Sequence, residues 1–224
     1  MYTPKNIDDI VFKSEEEKAR IDNILSKHKP FPAAGKNGIL LFGTWGTGKT
    51  TLARMLPNLI EQTKGGEEAN AEFIQCITGE NGSALITKIT HQASLVQNFN
   101  ASGYHYFVLD EIDILTSTAM SSLKAAMNMP NTIFIMTTNY LNKIDKGVQN
   151  RSIIVDFNAA PSKAWLPLAN KILTDNNVKN ISDEKLLKII DECGGSARSI
   201  IDAISSIKSS IISSSNVIRI DTRL

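Results

Sequence analysis

A chain of 224 residues is long enough for one large domain, or for a medium domain with a small companion. Its 24 Lys plus Arg balance 23 Asp plus Glu, and the net charge of +1 excludes a strong overall attraction to nucleic acid. No apolar stretch approaches the roughly 20 residues of a membrane helix, and the charged N-terminus lacks the pattern of a signal peptide, so we expect a cytoplasmic protein without a membrane partner.

Short apolar runs alternate with segments of helical spacing through the first two thirds of the chain. This alternation predicts an α/β fold, with a parallel five-stranded sheet and helices on both faces. Runs of this kind are typical of strands buried on both faces. The predicted strands are Gly38 to Phe42, Glu72 to Ile77, Tyr106 to Asp110, Ile133 to Thr138 and Ile153 to Phe157.

Strand-like runs then stop until the extreme end of the chain, and three helical patterns follow Phe157. They cover Ala164 to Asn176, Asp183 to Cys193, and Ser196 to about Ser213. Ser182 or Asp183 can cap the second helix, and Gly194-Gly195 would end it. We therefore predict a nucleotide-binding domain at residues 1–158 and a small all-α lid domain at 159–224.

The strongest motif lies between the first strand and the helical run TLARMLPNLI. Its string, GTWGTGKT, fits the P-loop pattern G-x-x-x-x-G-K-S/T. The glycines would let backbone N–H groups surround the phosphates of ATP, Lys49 would neutralise the β and γ oxygens, and the Thr50 hydroxyl would bind Mg²⁺. The predicted ATP-binding residues here are Gly43, Thr44, Trp45, Gly46, Thr47, Gly48, Lys49, Thr50 and Thr51.

Trp45 occupies a loop position where most related loops carry a small residue or proline. It is either a partly buried anchor of the loop or a contact to a partner.

Two adjacent carboxylates, Asp110 and Glu111, end the apolar strand YFVLD. Carboxylates at the end of a buried strand must face water, a cation or a reacting group. We predict that Asp110 orients Mg²⁺ or its water and that Glu111 polarises the water that attacks ATP. The alternative is an exposed acidic turn.

With these motifs in place, nearly the whole chain resembles the AAA+ ATPases, and within them the small subunits of sliding-clamp loaders such as replication factor C. The opening YTPKNIDDIV resembles the family segment Y-x-P-x-x-x-D-D-I-V. The resemblance implies that Tyr2, Pro4, Ile10 and Val11 form part of the adenine pocket. An N-terminal arm that only covers the sheet is the alternative.

Three further residues acquire roles from the same resemblance. Asn139, in TTNYLNKID, matches the first sensor, which positions water or contacts the γ-phosphate. Arg151, in QNRS, resembles the arginine of Q-S-R-C that is donated to the ATP of a neighbouring subunit. Arg198, in GGSARSIIDAI, resembles the second sensor of the lid domain, although Ser196 replaces the usual acidic residue. A surface arginine remains the alternative for Arg151 and for Arg198.

The resemblance extends weakly to DNA contacts. The segment CITGENGSALI aligns with N-A-S-D/E-x-x-G at Glu80, Asn81 and Gly82. In relatives, helix N-termini there and after the acidic motif point at duplex phosphates. The candidates are Ser83, Lys88, Thr116 and Ser117, and a solvated loop is an equal alternative.

Two departures from the family pattern stand out. The segment KAAMN, at Lys124 to Asn128, replaces R-R-x-M-E and lacks two of its charges. The sequence also ends before the helical collar that joins clamp-loader pentamers. We therefore expect assembly to depend on ATP-bridged contacts, on other subunits, or on a region outside this chain.

The leading hypothesis is an ATPase whose subunits assemble on DNA during replication. Its expected partners are neighbouring AAA+ subunits in a homo- or hetero-oligomer, double-stranded or primer-template DNA, and a sliding clamp or helicase. The alternatives are a helicase-loader or transposition-type AAA+ regulator, and a scaffold subunit that binds ATP without hydrolysis.

Overall fold

The computed structural model describes residues 2–80, 82–94, 99–178 and 181–217, without the side chains of residues 92 and 208–217. In this part of the chain the strands are β1 Gly38–Phe42, β2 Ala71–Gln75, β3 His105–Asp110, β4 Thr132–Thr138 and β5 Ser152–Asp156. The α-helices are α1 Glu15–Ile24, α2 Lys49–Thr63, α3 Ser83–Ala93, α4 Ser117–Ala126, α5 Lys146–Asn150, α6 Leu166–Asp175, α7 Asp183–Glu192 and α8 Ala197–Val217.

Packing divides the chain into two compact units. The sheet unit comprises Ser14–Thr44 and Lys49–Asn158, and the helical unit comprises Met1–Lys13, Trp45–Gly48 and Ala159–Leu224. The chain therefore changes unit after Lys13 and after Asn158, and it also does so twice within the predicted phosphate loop. The division into domains 1–158 and 159–224 stays a prediction.

The sheet has the strand order β2-β3-β4-β1-β5, and every neighbouring pair is parallel. The chain crosses in one direction from β1 to β2 and in the opposite direction in each later step. Because such crossovers are right-handed, the helix α2 lies on one face, and α3, α4 and α5 lie on the other. The predicted parallel five-stranded sheet with helices on both faces is confirmed.

Burial differs between the strands according to their place in the sheet. All seven residues of β4, in the middle, are buried, as are the first four of β1. The prediction of strands buried on both faces is wrong for β2, where Phe73 is 46% exposed beneath the guanidinium of Arg54. The reason is position, because β2 is an edge strand with a neighbour on one side only.

The helical unit has its own apolar core. The helices α6, α7 and α8 bury one side each, with Leu168, Ile172, Leu186, Ile190, Ile200 and Ile204 among the residues in contact. Ser182 caps α7 by accepting a hydrogen bond from the N–H of Lys185, and Gly194 and Gly195 follow that helix with positive φ angles. Ile207 is partly buried against this core, and the side chain of Ile211 lies outside the described residues.

No described helix combines the length and the apolar character that crossing a bilayer would require.

Candidate nucleotide-binding site

The start of the phosphate loop is held closely against the chain that follows β5. Gly43 has a φ of +155°, and a Cβ atom there would lie 2.5 Å from the backbone carbon of Phe157. The next residue, Thr44, donates its backbone N–H to Oδ1 of Asn158 at 3.0 Å. Only glycine allows the backbone of Phe157 to come this close. Gly43 is therefore required by packing as well as by its positive φ angle. Asn158 was not predicted, and no sequence signal marks it.

Lys49 begins α2 and is only 7% exposed. Its Nζ donates hydrogen bonds to the carbonyl oxygens of Gly43, at 2.8 Å, and Thr44, at 2.6 Å. Burial lowers the pKa of Lys49, and the carboxylates of Asp110, Asp113 and Glu111 act in the opposite direction. The loop therefore holds a cation at the N-terminus of a helix, where backbone N–H groups also favour anions.

Thr50 and Asp110 meet although sixty positions separate them. The Thr50 hydroxyl donates to the Asp110 carboxylate, at 2.9 Å to Oδ1 and 3.1 Å to Oδ2. Asp110 is the last residue of β3, and Thr50 lies in the first turn of α2. A hydroxyl beside a carboxylate is the hard oxygen donor set that suits Mg²⁺. Thr51, the next residue, is exposed.

Glu111 has an unusual backbone conformation. Its φ of 61° and ψ of 49° lie in the left-handed region, which is uncommon for a residue other than glycine. Its backbone N–H donates to Oγ1 of Thr137 at 2.9 Å. The side chain is partly buried. The structure thus brings Lys49, Thr50, Asp110 and Glu111 to the carboxyl end of the sheet.

The end of β4 joins this cluster through its hydroxyl groups. Thr137 donates to Oδ1 of Asp110 at 2.5 Å, and Thr138 donates to Oδ1 of Asp113 at 2.7 Å. The same Asp113 oxygen accepts the backbone N–H of Asn139 at 3.2 Å. Sequence reasoning missed these two threonines and Asp113. The available signal was two adjacent hydroxyl residues at the end of an apolar strand. Polar side chains at the end of a buried strand must face water, a cation or a reacting group, as Asp110 and Glu111 do.

Arg151 lies at the other end of the sheet. It follows α5 and precedes β5, and its carbonyl oxygen accepts the N–H groups of Asn37, at 3.1 Å, and Gly38, at 3.0 Å. Its Nε donates to Oδ1 of Asn128 at 3.0 Å, and Nη1 donates to the carbonyl of Gly147 at 3.1 Å. The structure does not bring Arg151 to the phosphate loop of its own chain.

Residues 45–48 and Arg198 belong to the helical unit. The backbone N–H of Arg198 donates to the carbonyl of Gly46 at 3.3 Å, and a Cβ at Gly46 would lie 2.8 Å from Oγ of Ser196. Thr47 is buried, and Gly48 has a φ of +101°. Trp45 is 65% exposed, so the interpretation of a partly buried anchor is wrong. Its contact with a partner stays a prediction.

The N-terminal arm is fastened within the helical unit by Asp9. This buried carboxylate accepts hydrogen bonds from Nζ of Lys171 at 2.5 Å and from the N–H groups of Lys5 and Asn6. Burial by itself raises the pKa of Asp9, but these hydrogen bonds outweigh it and hold the pKa at about 2. The predicted adenine residues Tyr2, Pro4, Ile10 and Val11 are all partly buried, and Tyr2 and Val11 pack against the helical core. Their contact with adenine stays a prediction.

The candidates for DNA contact lie at helix starts. Ser83 begins α3, Ser117 begins α4, and Thr116 caps α4 by accepting the N–H of Ala119. Lys88 is exposed on α3. Asn81 lies outside the described residues. These contacts also stay predictions.

Comparison with known proteins places this geometry in a family. Residues 39–157, more than half of the chain, match the profile of the AAA family, the ATPases associated with various cellular activities. The chain belongs to the AAA family. The matched segment runs from β1 through β5, so it contains Lys49, Thr50, Asp110, Glu111 and the end of β4.

Among curated AAA relatives, similarity covers nearly all of this chain. Replication factor C small subunit 2 of Pyrobaculum arsenaticum is 31% identical over 207 residues, 91% of this chain and 60% of that protein. The replication factor C small subunit of Thermoplasma volcanium is 29% identical over 213 residues, 93% of this chain and 63% of that protein. The predicted resemblance to these subunits is confirmed, and the chain spans about 60% of their length.

Among solved structures, RuvB of Thermotoga maritima, a Holliday junction branch migration motor, has the same fold. It superposes with a TM-score of 0.68 over 94% of this chain and 68% of that chain, at 16% identity. A mutant of the same RuvB gives a TM-score of 0.73 at 17% identity. At this identity the likeness concerns the fold alone.

Proposed function

We propose that this chain hydrolyses ATP at sites shared between neighbouring subunits, and that the cycle drives an assembly step on DNA during replication. The AAA family match and the replication factor C relatives support this proposal. The central claim of the proposal is that two subunits form one active site, and it depends on the position of Arg151.

Arg151 is too far from the phosphate loop of its own chain to reach it. Its carbonyl lies level with Asn37, just before β1, whereas Gly43 directly follows β1. Asn37 and Gly43 flank the five residues of β1 and are therefore six residue steps apart, or roughly 20 Å at about 3.3 Å per residue. An arginine side chain spans less than half of that distance. An arginine that acts on ATP from this place must therefore act on the ATP of another subunit.

The chain's own residues supply the other half of the site. The phosphate loop and Lys49 would bind the β and γ phosphates, as a cation at a helix N-terminus does in other P-loops. Thr50 and Asp110 provide the oxygen donors for Mg²⁺, which when bound neutralises phosphate charge. Glu111 would polarise the attacking water, with Asn139 beside it. The partner's guanidinium would neutralise charge that develops on the γ-phosphoryl group, as it does in other NTPases.

The remaining parts of the proposal concern partners and place. The relatives are replication factor subunits, so we assign the chain to a clamp-loader-like step with primer-template or double-stranded DNA and a sliding clamp. Ser83, Lys88, Thr116 and Ser117 are the proposed DNA contacts, and Arg198 is the proposed second sensor. We assign the chain to the cytoplasm, or to wherever the genome it serves is replicated.

The shared site can be tested by mixing two inactive variants. Glu111→Gln and Arg151→Ala are each expected to abolish most ATPase activity when pure. In a random equal mixture, roughly a quarter of head-to-tail interfaces would join an intact Glu111 to an intact Arg151. We expect ATPase activity to reappear in that mixture, measured as phosphate release.

A second mixture provides the matched control. Glu111→Gln mixed with Lys49→Met damages the same half of the site in both proteins, so no interface is complete and no activity should return. Co-assembly in both mixtures is verified by capturing a tag carried by one variant. Without recovery in a co-assembled mixture of Glu111→Gln and Arg151→Ala, the shared site is wrong.

A further inference from the structure

Thr137 contacts both carboxylate residues of the acidic motif at once. The strands β3 and β4 are parallel neighbours with Leu109 opposite Met136, which sets Thr137 beside Asp110. Thr137 is 1% exposed. Its hydroxyl donates to Oδ1 of Asp110 at 2.5 Å and accepts the backbone N–H of Glu111 at 2.9 Å. A single buried hydroxyl therefore uses its proton on one residue and a lone pair on the next.

The hydrogen bond from the Glu111 N–H to Thr137 stabilises a left-handed backbone conformation that is unfavourable for a residue with a side chain. For residues with a side chain, the left-handed region persists only where the surroundings determine it, and such residues cluster at active sites. Glu111 stands in that region, and its N–H is bound by Thr137 at the point where the chain leaves β3. The direction in which the Glu111 side chain leaves the backbone therefore depends on this bond.

The bond to Asp110 fixes the second carboxylate. Oδ1 of Asp110 accepts hydroxyl hydrogen bonds from Thr50 at 2.9 Å and from Thr137 at 2.5 Å. Thr50 approaches from α2 and Thr137 from β4, so the carboxylate is held from two elements of the sheet unit. This orientation presents Asp110 together with Thr50 as a pair of oxygen donors.

We propose that Thr137 is a positioning residue for ATP hydrolysis, whose hydroxyl orients Glu111 towards the attacking water and Asp110 towards Mg²⁺. This inference rests on the proposed ATPase function. Catalytic groups must stand within a fraction of an ångström of the productive geometry, and a displacement of about 1 Å costs on the order of 100-fold in rate. Thr137 supplies that constraint without touching ATP.

Replacement by valine tests the hydroxyl separately from the volume of the side chain. Thr137→Val keeps the branched shape but leaves Asp110 without one donor and the Glu111 N–H without its acceptor. We expect kcat to fall by between about 10-fold and 100-fold, with the Kd for ATP at saturating Mg²⁺ nearly unchanged. The Mg²⁺ concentration that half-saturates ATP binding should rise, measured by calorimetry without turnover. Thr137→Ser retains the hydroxyl and should restore kcat to within about threefold of the wild type.

Tyr106→Phe is the matched control. Tyr106 is also a buried hydroxyl residue of the sheet unit that donates to a carboxylate, Glu61, at 2.7 Å. It is the second residue of β3, so it lies away from the end that carries Asp110. A general loss of stability should affect both variants, whereas kcat should fall only in Thr137→Val.

The effect of Thr137→Val on kcat should depend on whether Glu111 is intact. A purely structural role of Thr137 would not produce this dependence. In a Glu111→Gln background, Thr137→Val should cause a much smaller further loss of kcat than in the wild type, because Glu111, one of the two residues that it orients, is already inactive. If Thr137→Val does not fold, Thr137→Ala is measured in its place, with the same expectation.

The outcomes separate this inference from the function on which it rests. If the wild-type chain is active and the folded valine or alanine variant keeps wild-type kcat, the role of Thr137 is overturned while the ATPase proposal stands. Equal further loss in the Glu111→Gln background would also overturn it. If the wild-type chain hydrolyses no ATP, the proposed function fails, and the positioning role fails with it.

Discussion

At the carboxyl end of the sheet, three threonine hydroxyls donate hydrogen bonds to carboxylates, whereas at the amino end Asn37 and Lys36 donate to backbone carbonyls. The carboxyl end joins Thr50 to Asp110, Thr137 to Asp110, and Thr138 to Asp113. Each link runs from a hydroxyl to a carboxylate across different elements. Thr50 and Thr137 share the Asp110 carboxylate, so the loss of either hydroxyl removes one of the hydrogen bonds that orient it.

The amino end has the opposite organisation. The Asn37 amide donates to the carbonyls of Met127, at 3.0 Å, and Thr132, at 3.2 Å. Nζ of Lys36 donates to the carbonyls of Asn150 and Ser152. These side chains satisfy backbone groups where strands begin, which is a structural task.

Arg151 is the exception at the amino end. Its guanidinium makes two hydrogen bonds, to Asn128 and Gly147, and stays partly exposed. Five N–H donors are available on an arginine, so the described contacts leave donors for another molecule. Arg151 therefore combines contacts within the amino end of the sheet with guanidinium donors that can bind another molecule.

The largest expected effect comes from Arg151. We expect Arg151→Ala to reduce kcat by roughly 10³-fold or more, as loss of an arginine supplied in trans does in other NTPases, with ATP binding nearly retained. Arg151→Lys should recover little, because an ammonium cannot reproduce the planar guanidinium held by Asn128. Steady-state ATPase assays and nucleotide titration measure both. Arg20→Ala, which removes a surface arginine of the same unit, is the control, and an equal loss there would contradict the comparison.

A smaller but still large effect is expected at Lys49. Lys49→Met should weaken ATP binding by about 2 kcal/mol or more, roughly 30-fold in Kd, because a buried charge pair with phosphate is lost. Nucleotide titration followed by calorimetry measures this.

Although Lys49→Met should weaken ATP binding, we expect it not to lower the stability of the chain without nucleotide. Burial lowers the pKa of Lys49, so the charged form is less favoured in the folded chain than in the unfolded chain. At pH 7 the ammonium therefore costs stability, and the Tm of Lys49→Met without nucleotide should equal or exceed that of the wild type. A clearly lower Tm, measured by thermal unfolding, would contradict this account.

The smallest effect is expected at Asn37, and on stability only. Asn37→Ala should lower the free energy of unfolding by about 1 to 2 kcal/mol, because the carbonyls of Met127 and Thr132 lose a donor. ATP binding should not change. Urea unfolding and nucleotide titration measure the two. Asn23→Ala, whose contact with Lys29 is exposed, should stay within about 0.5 kcal/mol of the wild type. Weaker ATP binding by Asn37→Ala would show that the two ends of the sheet are not separate.

Much of the fold was predictable because its signals are local. The five apolar runs mark the strands to within about two residues, and the capping serine at 182 and the glycines after α7 mark helix ends. Exposure of β2 was not predictable, because strand order is decided by how distant segments pair. The same apolar run would be buried in the middle of the sheet and is half exposed at its edge.

The candidate site divides in the same way. The phosphate loop and the pair Asp110 and Glu111 are contiguous in the chain, so residue type and spacing were enough to predict them. Thr137, Asp113 and Asn158 escaped prediction, because each acts through hydrogen bonds to residues far away in the chain. Nothing local distinguishes Asn158 from any other asparagine after a strand.

By itself, the sequence determined the chemistry that this protein carries: a cation in a glycine-rich turn, two carboxylates at a strand end, and an arginine before the last strand. The tertiary structure alone decided where that chemistry is placed. Parallel pairing brings Thr50, Asp110, Glu111 and Thr137 to one end of the sheet and sets Arg151 at the other. The physical reason is that strands in a parallel sheet share one direction, so a residue after a strand and a residue before its neighbour lie a strand's length apart.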